Sequence, residues 1–220
     1  NTKSLDYVFD GYYSRNDYDR LYNNDNVSFR SLVKEDYYYI KANANYSMAF
    51  SHRNRLAFSL YEFMRISDSE YIGTSAYNQN LHSSETILFA DYSQRLGSFF
   101  FDINPGLSFL TYRLEGMKSI NHLTPRLQAR ATYKIDKVQQ LQFMFALGNT
   151  YPRINTINNV EQQIDPIIIL KGNSNMDNSI LLNPRLSHTL NLNKFALHTG
   201  VSYFYQNHSI ISDYYIPIVR

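Results

Sequence analysis

Six histidines, His52, His82, His122, His188, His198 and His208, are scattered along the chain. No two of them stand at H-x-x-x-H or H-E-x-x-H spacing, which would set two imidazoles on one helix face as zinc ligands. His188 alternates in phase with Leu186 and Leu190, and His198 falls opposite to Leu197. Single strand histidines in such positions are ordinarily packed or solvated. Ser, His and Asp are all present, yet no G-x-S-x-G elbow occurs, and His208 with Asp213 is the only close pair an outer-surface hydrolase could use. Asp68, Glu70, Asp165 and Asp177 sit in polar stretches that read as loops and could meet a cation. Isolated loop carboxylates are usually solvated instead. Gly172-Asn173-Ser174-Asn175 invites a phosphate-loop reading, but that chemistry needs a preceding strand, a following helix and a Lys-Ser/Thr pair, and none follows. The expectation is therefore a protein that is not an enzyme, with no catalytic residue, no metal ligand and no cofactor.

Composition narrows the class further. The chain has 220 residues, enough for a sizeable core, with 20 Tyr and 14 Phe but no Trp. Tyrosine suits pleated surfaces and membrane interfaces, where an apolar ring and a polar tip are both useful. A net charge of +2 without a Lys/Arg run argues against nucleic acid as a partner. The absence of cysteine removes disulfides and thiolate chemistry together. No secretory leader is visible at Asn1-Thr2-Lys3, and no apolar run approaches the ~20 residues of a membrane helix. A membrane role would have to be carried by strands.

The dominant period is two. In residues 38–50, Tyr38, Ile40, Ala42, Ala44, Tyr46 and Met48 share one face, while Lys41, Asn43, Asn45 and Ser47 share the other. The polar stretch of residues 51–55 turns the chain into Leu56, Phe58 and Leu60. Residues 86–93 turn at 94–97 into Phe99, Phe101, Ile103, Leu107 and Phe109, with Asp102, Asn104 and Ser108 opposite. Residues 125–134 set Leu127, Ala129, Ala131 and Tyr133 against Arg126, Gln128, Arg130, Thr132 and Lys134, then turn at Asp136-Lys137 into Leu141, Phe143, Phe145 and Leu147. A last hairpin joins residues 186–192 to 197–205 through Asn193-Lys194.

These hairpins predict an all-β fold, an antiparallel up-and-down meander with strands of ~10 residues, as in a tilted membrane barrel. The connections at 51–55, 94–97, 135–139 and 193–194 are tight. Those at 67–80, 115–124 and 148–182 read as long and rich in Asn, Ser, Gly and Pro. Short turns at one end and long loops at the other are typical of outer-membrane barrels. Alternation alone does not fix which face is inside. Tyrosines near strand ends (Tyr12, Tyr13, Tyr37 to Tyr39, Tyr133, Tyr151, Tyr203, Tyr205, Tyr214, Tyr215) read as interfacial girdles. On that reading Lys41, Arg126, Arg130 and Lys134 line a wet lumen. The alternative is a soluble or surface β-barrel or sandwich, a ligand binder or adhesin with its apolar face inward. Within the stretch 169–186, Gly172 is expected to supply a positive φ, and Asn173, Ser174 and Asn175 to form Asx-type turns.

Several stretches carry a family resemblance. Pro105-Gly106-Leu107-Ser108-Phe109 with Leu114-Glu115-Gly116, and the strand from Thr124-Pro125-Arg126 to Tyr133-Lys134-Ile135, resemble barrel strands of TonB-dependent receptors. Tyr151-Pro152-Arg153-Ile154-Asn155 and Gly172-Asn173-Ser174-Asn175-Met176 are similar to the arginine–proline segment and G-N-P-N-L signature of outer-membrane receptor barrels common in Bacteroidetes. Ser174 and Met176 stand where that signature has Pro and Leu. The resemblance covers about residues 100–205. It implies a larger receptor in the outer membrane of a Gram-negative bacterium, with an N-terminal plug, a barrel of about 22 strands and uptake of a nutrient driven through TonB. The whole chain, residues 1–220, is then a barrel segment holding about eight to ten strands. Its partners would be outer-membrane lipid, a nutrient ligand at the extracellular loops, and the plug and TonB through the parent chain. The Tyr and Asn of 67–80 and 151–178 either contact that ligand or pack on one another to close the barrel mouth, and no ligand-contact residue is assigned.

Overall fold

The computed structural model describes residues 2–24, 27–73, 76–150, 153–163 and 168–208. Asp213, Tyr151, Pro152, Asp165, Tyr214 and Tyr215 lie outside them. The strands are β1 (Thr2–Asn24), β2 (Val27–Ser51), β3 (Asn54–Ile72), β4 (Ala76–Leu96), β5 (Phe99–Leu114), β6 (Ile120–Lys134) and β7 (Gln139–Thr150). One helical turn, α1 (Ile154–Ile157), and two short strands, β8 (Gln162–Gln163) and β9 (Ile169–Leu170), follow. The last described elements are β10 (Ser179–Leu192), β11 (Phe195–Ser202) and β12 (Tyr205–Gln206). The main sheet is antiparallel and runs β1 to β7, then β10 and β11. β12 pairs β10 in the register already set by β11, since Arg185 faces Ser202 and Leu181 faces Gln206. The two are one edge strand interrupted at Tyr203-Phe204. Among the described residues no pairing joins β1 to that edge.

Directly opposed residues in an antiparallel pair share a face, so the registers trace rows across the sheet. One row reads Tyr7, Ala44, Leu60, Leu88, Leu107 and Pro125 over six strands. The next row on the opposite side reads Val8, Asn43, Tyr61, Ile87, Ser108 and Thr124. The apolar face is bare: Leu88 is 54% exposed and Leu107 50%. The polar face is the covered one, with Ser83, Glu85, Ser108 and Thr124 all buried. The chain's small apolar core, Leu81, Leu110, Tyr112, Leu114 and Ile157, also lies there.

Turn chemistry explains one end of the sheet. Gly97 takes φ +59 in the Gly97-Ser98 turn, and Asp136 accepts bonds from the Val138 and Gln139 amides at 2.8 and 2.7 Å. The other end departs from expectation. Residues 67–80 form the upper parts of β3 and β4 joined at 73–75, and 115–124 shrinks to a connection at 115–119. The strands of β1 to β7 span 12 to 25 residues rather than ~10. The ladder continues because polar residues pair across it: Lys34 with Glu70 at 3.1 Å, Ser67 with Glu35 at 2.7 Å, and Asn80 with Asp68. Beyond the apolar band one face is solvated and carries Asp, Glu, His and Asn, while the other is covered and buries Ser67, Ser69, Tyr71 and Gln79, so neither face shows an apolar alternation. The alternation delimits no strand before residue 38, although Tyr12 and Tyr13 read as lying near strand ends, and all of β1 pairs with β2, from Thr2 opposite Ala49 to Asn24 opposite Val27. Consecutive tyrosines also divide between faces. Tyr13, Tyr38 and Tyr133 stand on the apolar side, but Tyr12, Tyr37 and Tyr39 are on the polar side and belong to no interfacial girdle.

Gly106 marks the tightest approach within the sheet. A Cβ there would meet the Phe89 ring at 2.4 Å and the Leu88 carbonyl oxygen at 2.5 Å. The adjacent Pro105 donates no amide, and the β4–β5 register skips Ala90 and Asp91 at that level. Gly106→Ala is expected to lose about 1–3 kcal/mol of folding stability through forced displacement of β4. Urea unfolding of the intact chain measures it, and an unchanged midpoint would refute the close-approach account.

Candidate functional site

The polar face carries a chain of aromatic rings across its first four strands. Tyr12 and Tyr39 have centroids 5.1 Å apart, Tyr39 and Phe63 6.5 Å, Phe63 and Tyr61 6.3 Å, and Tyr61 and Phe89 6.2 Å. Alternation produces this arrangement. Once Phe58 and Leu60 point to the bare face, Tyr61, Phe63 and Arg65 must point to the other. Lys41 Nζ lies 6.0 Å from the Phe63 centroid, and Arg65 Cζ lies 5.2 Å from Phe63 and 5.8 Å from Tyr39. Both cations are within cation–π range.

Beside the rings stands a buried charge node. The Glu85 side chain is 5% exposed and accepts from Arg126 Nη2 at 2.6 Å and Ser108 Oγ at 2.7 Å. Arg65 Nη2 lies 4.0 Å from its other oxygen. Asn149 Nδ2 reaches the first oxygen at 3.5 Å. A carboxylate out of water is tolerated only with such company. Further along the face Arg130 lies 3.7 Å from Asp102.

Residues 153–163 and 168–178 form a strap that lies on this face near the end opposite the tight turns. Ile157 is buried against the cluster of Leu81, Leu110, Tyr112 and Leu114, with Met117, Ile120 and Met176 packed around it. Each fully buried side chain of this kind is worth about 1.5–3 kcal/mol. Side-chain bonds to several strands fasten the strap. Tyr71 Oη donates to the Gln163 carbonyl and Tyr112 Oη to the Met176 carbonyl, both at 2.8 Å. Asn158 Nδ2 donates to Tyr77 Oη at 3.2 Å, and Asn178 Nδ2 to Thr124 Oγ1 at 2.8 Å. Burial beneath the strap pushes the Tyr77 phenol upward, opposed by hydrogen bonds from Gln162 and Asn158.

Within the strap, Gly172 does not adopt the positive φ expected of it. Its amide donates to the Asn158 carbonyl at 2.6 Å, and a Cβ would stand 2.6 Å from the Thr156 carbonyl oxygen. Glycine is required there for close backbone approach rather than for a left-handed turn. The Asx turn is present at Asn173, whose Oδ1 accepts from the Asn175 amide at 3.0 Å.

The other predicted positions are dispersed. His188 meets Gln139 at 3.3 Å, His198 meets Thr189 at 2.9 Å, and His122 stacks on Tyr112. Asp68 and Glu70 are strand residues paired with Asn80 and Lys34, not loop carboxylates. His208 is described but Asp213 is not. Among the described residues no group of three or more His, Asp or Glu could hold a metal ion. Sequence reasoning missed the aromatic chain. The signal was the polar-face phase of Ala57, Ser59, Tyr61, Phe63 and Arg65, where rings interrupt a run expected to be small and polar.

No protein-family model and no curated protein matches the chain.

Because the strap is fastened by side chains of several strands, removing its anchors should loosen it without unfolding the sheet. Tyr71→Phe and Tyr112→Phe are each expected to cost about 1 kcal/mol. The double variant should be cleaved faster within residues 153–178 in limited proteolysis, while the hairpins stay protected. Cleavage at the parental rate would mean that these hydroxyls do not hold the strap.

Proposed function

We propose that the chain is a wall segment of an outer-membrane β-barrel, and that its parent is a TonB-dependent-receptor-like transporter of a nutrient. The observation that carries this reading is the pairing of a bare apolar face with a covered polar one. From Tyr38 to Met48 the apolar residues of β2 extend ~33 Å at ~3.3 Å per residue, which matches a band ~25 Å tall crossed by a strand tilted ~40°. Above the band the same face turns polar and charged, with Asp36 and Lys34 on β2, Asp68 and Glu70 on β3, and His82 and Asn80 on β4. Within the band Glu62 lies between Leu60 and Met64, opposite Ala42, and its carboxylate accepts from Ser84 at 2.9 Å and Thr86 at 2.5 Å.

In this reading lipid covers the row from Tyr7 to Pro125, and the polar face lines the lumen. The strap narrows that lumen at its outer end. The tight turns face the periplasm, and the elongated upper strands stand outside the cell. The two open edges, β1 and β11 with β12, would pair with further strands of the parent, because an exposed edge of such length is a template for aggregation. The plug, TonB coupling and the nutrient itself come from the family resemblance and belong to the parent.

The alternative of a soluble binder has the apolar face closing inward. It would set the strap and the buried Glu85–Arg126 pair on the outer surface, and the strap's cover of Leu110 and Ile157 favours the opposite orientation.

Arginine substitution separates the two. Leu107→Arg in the intact, membrane-inserted chain is expected to cost ~2–4 kcal/mol, the penalty for a cation facing the bilayer midplane. Asn43→Arg, on the polar face, should be near neutral. Equal effects at the two positions, or recovery of the chain from the aqueous fraction of source cells without detergent, would overturn the orientation.

A further inference from the structure

Five aromatic side chains, Tyr12, Tyr39, Tyr61, Phe63 and Phe89, cross the polar face away from the small apolar core and call for a reason beyond packing. The small core that fastens the strap uses none of Tyr12, Tyr39 or Phe63. These rings are tilted by 34° and 38° to one another rather than stacked face to face, and Tyr12 is 55% exposed. Tyr12 thus offers an open ring, and the half-buried Tyr39 and Phe63, with Arg65 over both, offer ring edges to a planar ligand.

Charge decides which planar ligand. Phe63 lies between Lys41 and Glu85 in register, and Arg65 flanks it from the same strand. Glu85 is spent on Arg126 and Ser108. Lys41 has no ion pair among the described residues, although Asp10 stands opposite it in register. Counting Lys41, Arg65 and Arg126 against Glu85 and Asp10 leaves the patch with one positive charge in surplus, held by groups that already flank the ring.

We propose that this patch is a subsite for an aromatic anion. Its ring would lie against Tyr12, Tyr39 and Phe63, and its carboxylate would be taken by the Lys41 ammonium with Arg65 behind it. A neutral ring would gain the stacking alone, and an aliphatic anion the charge alone. The subsite rests on the reading of the polar face as the wall of a wet lumen, but its assay does not depend on where the protein resides.

The test is equilibrium dialysis of the intact chain, purified from whichever cell fraction holds it, against three probes. These are 2-naphthoate, 2-naphthylmethanol and cyclohexanecarboxylate. Saturable 2-naphthoate binding, about tenfold tighter than either control, is expected. Lys41→Gln should weaken 2-naphthoate about five- to tenfold, as an ion pair of this exposure does, and leave 2-naphthylmethanol unchanged. Lys41→Arg should restore it, and Phe63→Leu should weaken both naphthalenes. If 2-naphthoate binds no better than its controls, or Lys41→Gln binds it as tightly as the parent, the subsite is refuted. Cell fractionation and the arginine series report separately on the barrel reading, so the two can fail independently.

Discussion

A β-ladder satisfies its own backbone and leaves its side chains to find two environments, one for each face. Here the constraint is severe because one face is apolar over row after row, from Tyr7 through Ala44, Leu60, Leu88 and Leu107 to Pro125. At roughly 25 cal/mol per Å², leaving such a surface in water is far more costly than any turn or ion pair in the chain could offset. Some apolar medium must cover it. The five-residue core cannot do so, since it lies on the other face. The placing of charge, the direction of the strap and the character of the strand ends all follow from the need to keep that face apolar and the other wet.

The polar face meets the complementary problem. Charges gathered on it must be paired wherever the strap or neighbouring side chains exclude water. Glu85 shows the solution: one carboxylate satisfied by a guanidinium and a hydroxyl from strands β6 and β5, with a second guanidinium from β3 close by. A buried pair of this kind adds little net stability but strongly fixes register, because a one-residue slip of β4 would turn the carboxylate toward the apolar side. The strap then rests on a wall whose register is set. Its anchors, Tyr71, Tyr77, Tyr112 and Thr124, come from four different strands. The bonds that hold the strap thus also tie those strands to one another.

What alternation encodes was legible: the antiparallel meander, the apolar phase of residues 38–50, 99–109 and 141–147, the tight turns, and Lys41, Arg126, Arg130 and Lys134 on the polar face. The misses share a physical cause. Where both faces carry mostly polar residues, composition no longer distinguishes strand from loop, so residues 67–80 read as a loop though their backbone bonds continue the ladder and Ser67, Ser69, Tyr71 and Gln79 are buried. In β1, Gly11 and the Asp and Asn residues blur the phase, and only pairing with β2 reveals the strand. Gly172 was correctly singled out, but a close approach and a positive φ both demand glycine, and sequence does not separate them. The inward fold of the strap depends on contacts between residues far apart in the chain, such as Ile157 with Leu110, that no local pattern announces. The aromatic chain was hidden because its rings come from separate strands.

The phase of the alternation also bears on the choice between a membrane wall and a soluble shell. Inverting the sheet would keep every backbone bond, so the ladder itself is indifferent. The side chains are not. Inversion would bring Leu60, Leu88 and Leu107 together inside and set the strap, with Ile157 and Met176, on the outer surface of the shell. Tyr71, Tyr112 and Glu85 keep their burial in either orientation. In the orientation proposed here each of these groups does what its surroundings favour: the aliphatic rows need no partner within the chain, the charge node is held away from bulk water, and the strap closes on the one apolar spot that the wet face contains. Agreement among these independent features, rather than the apolar surface alone, is what favours the wall.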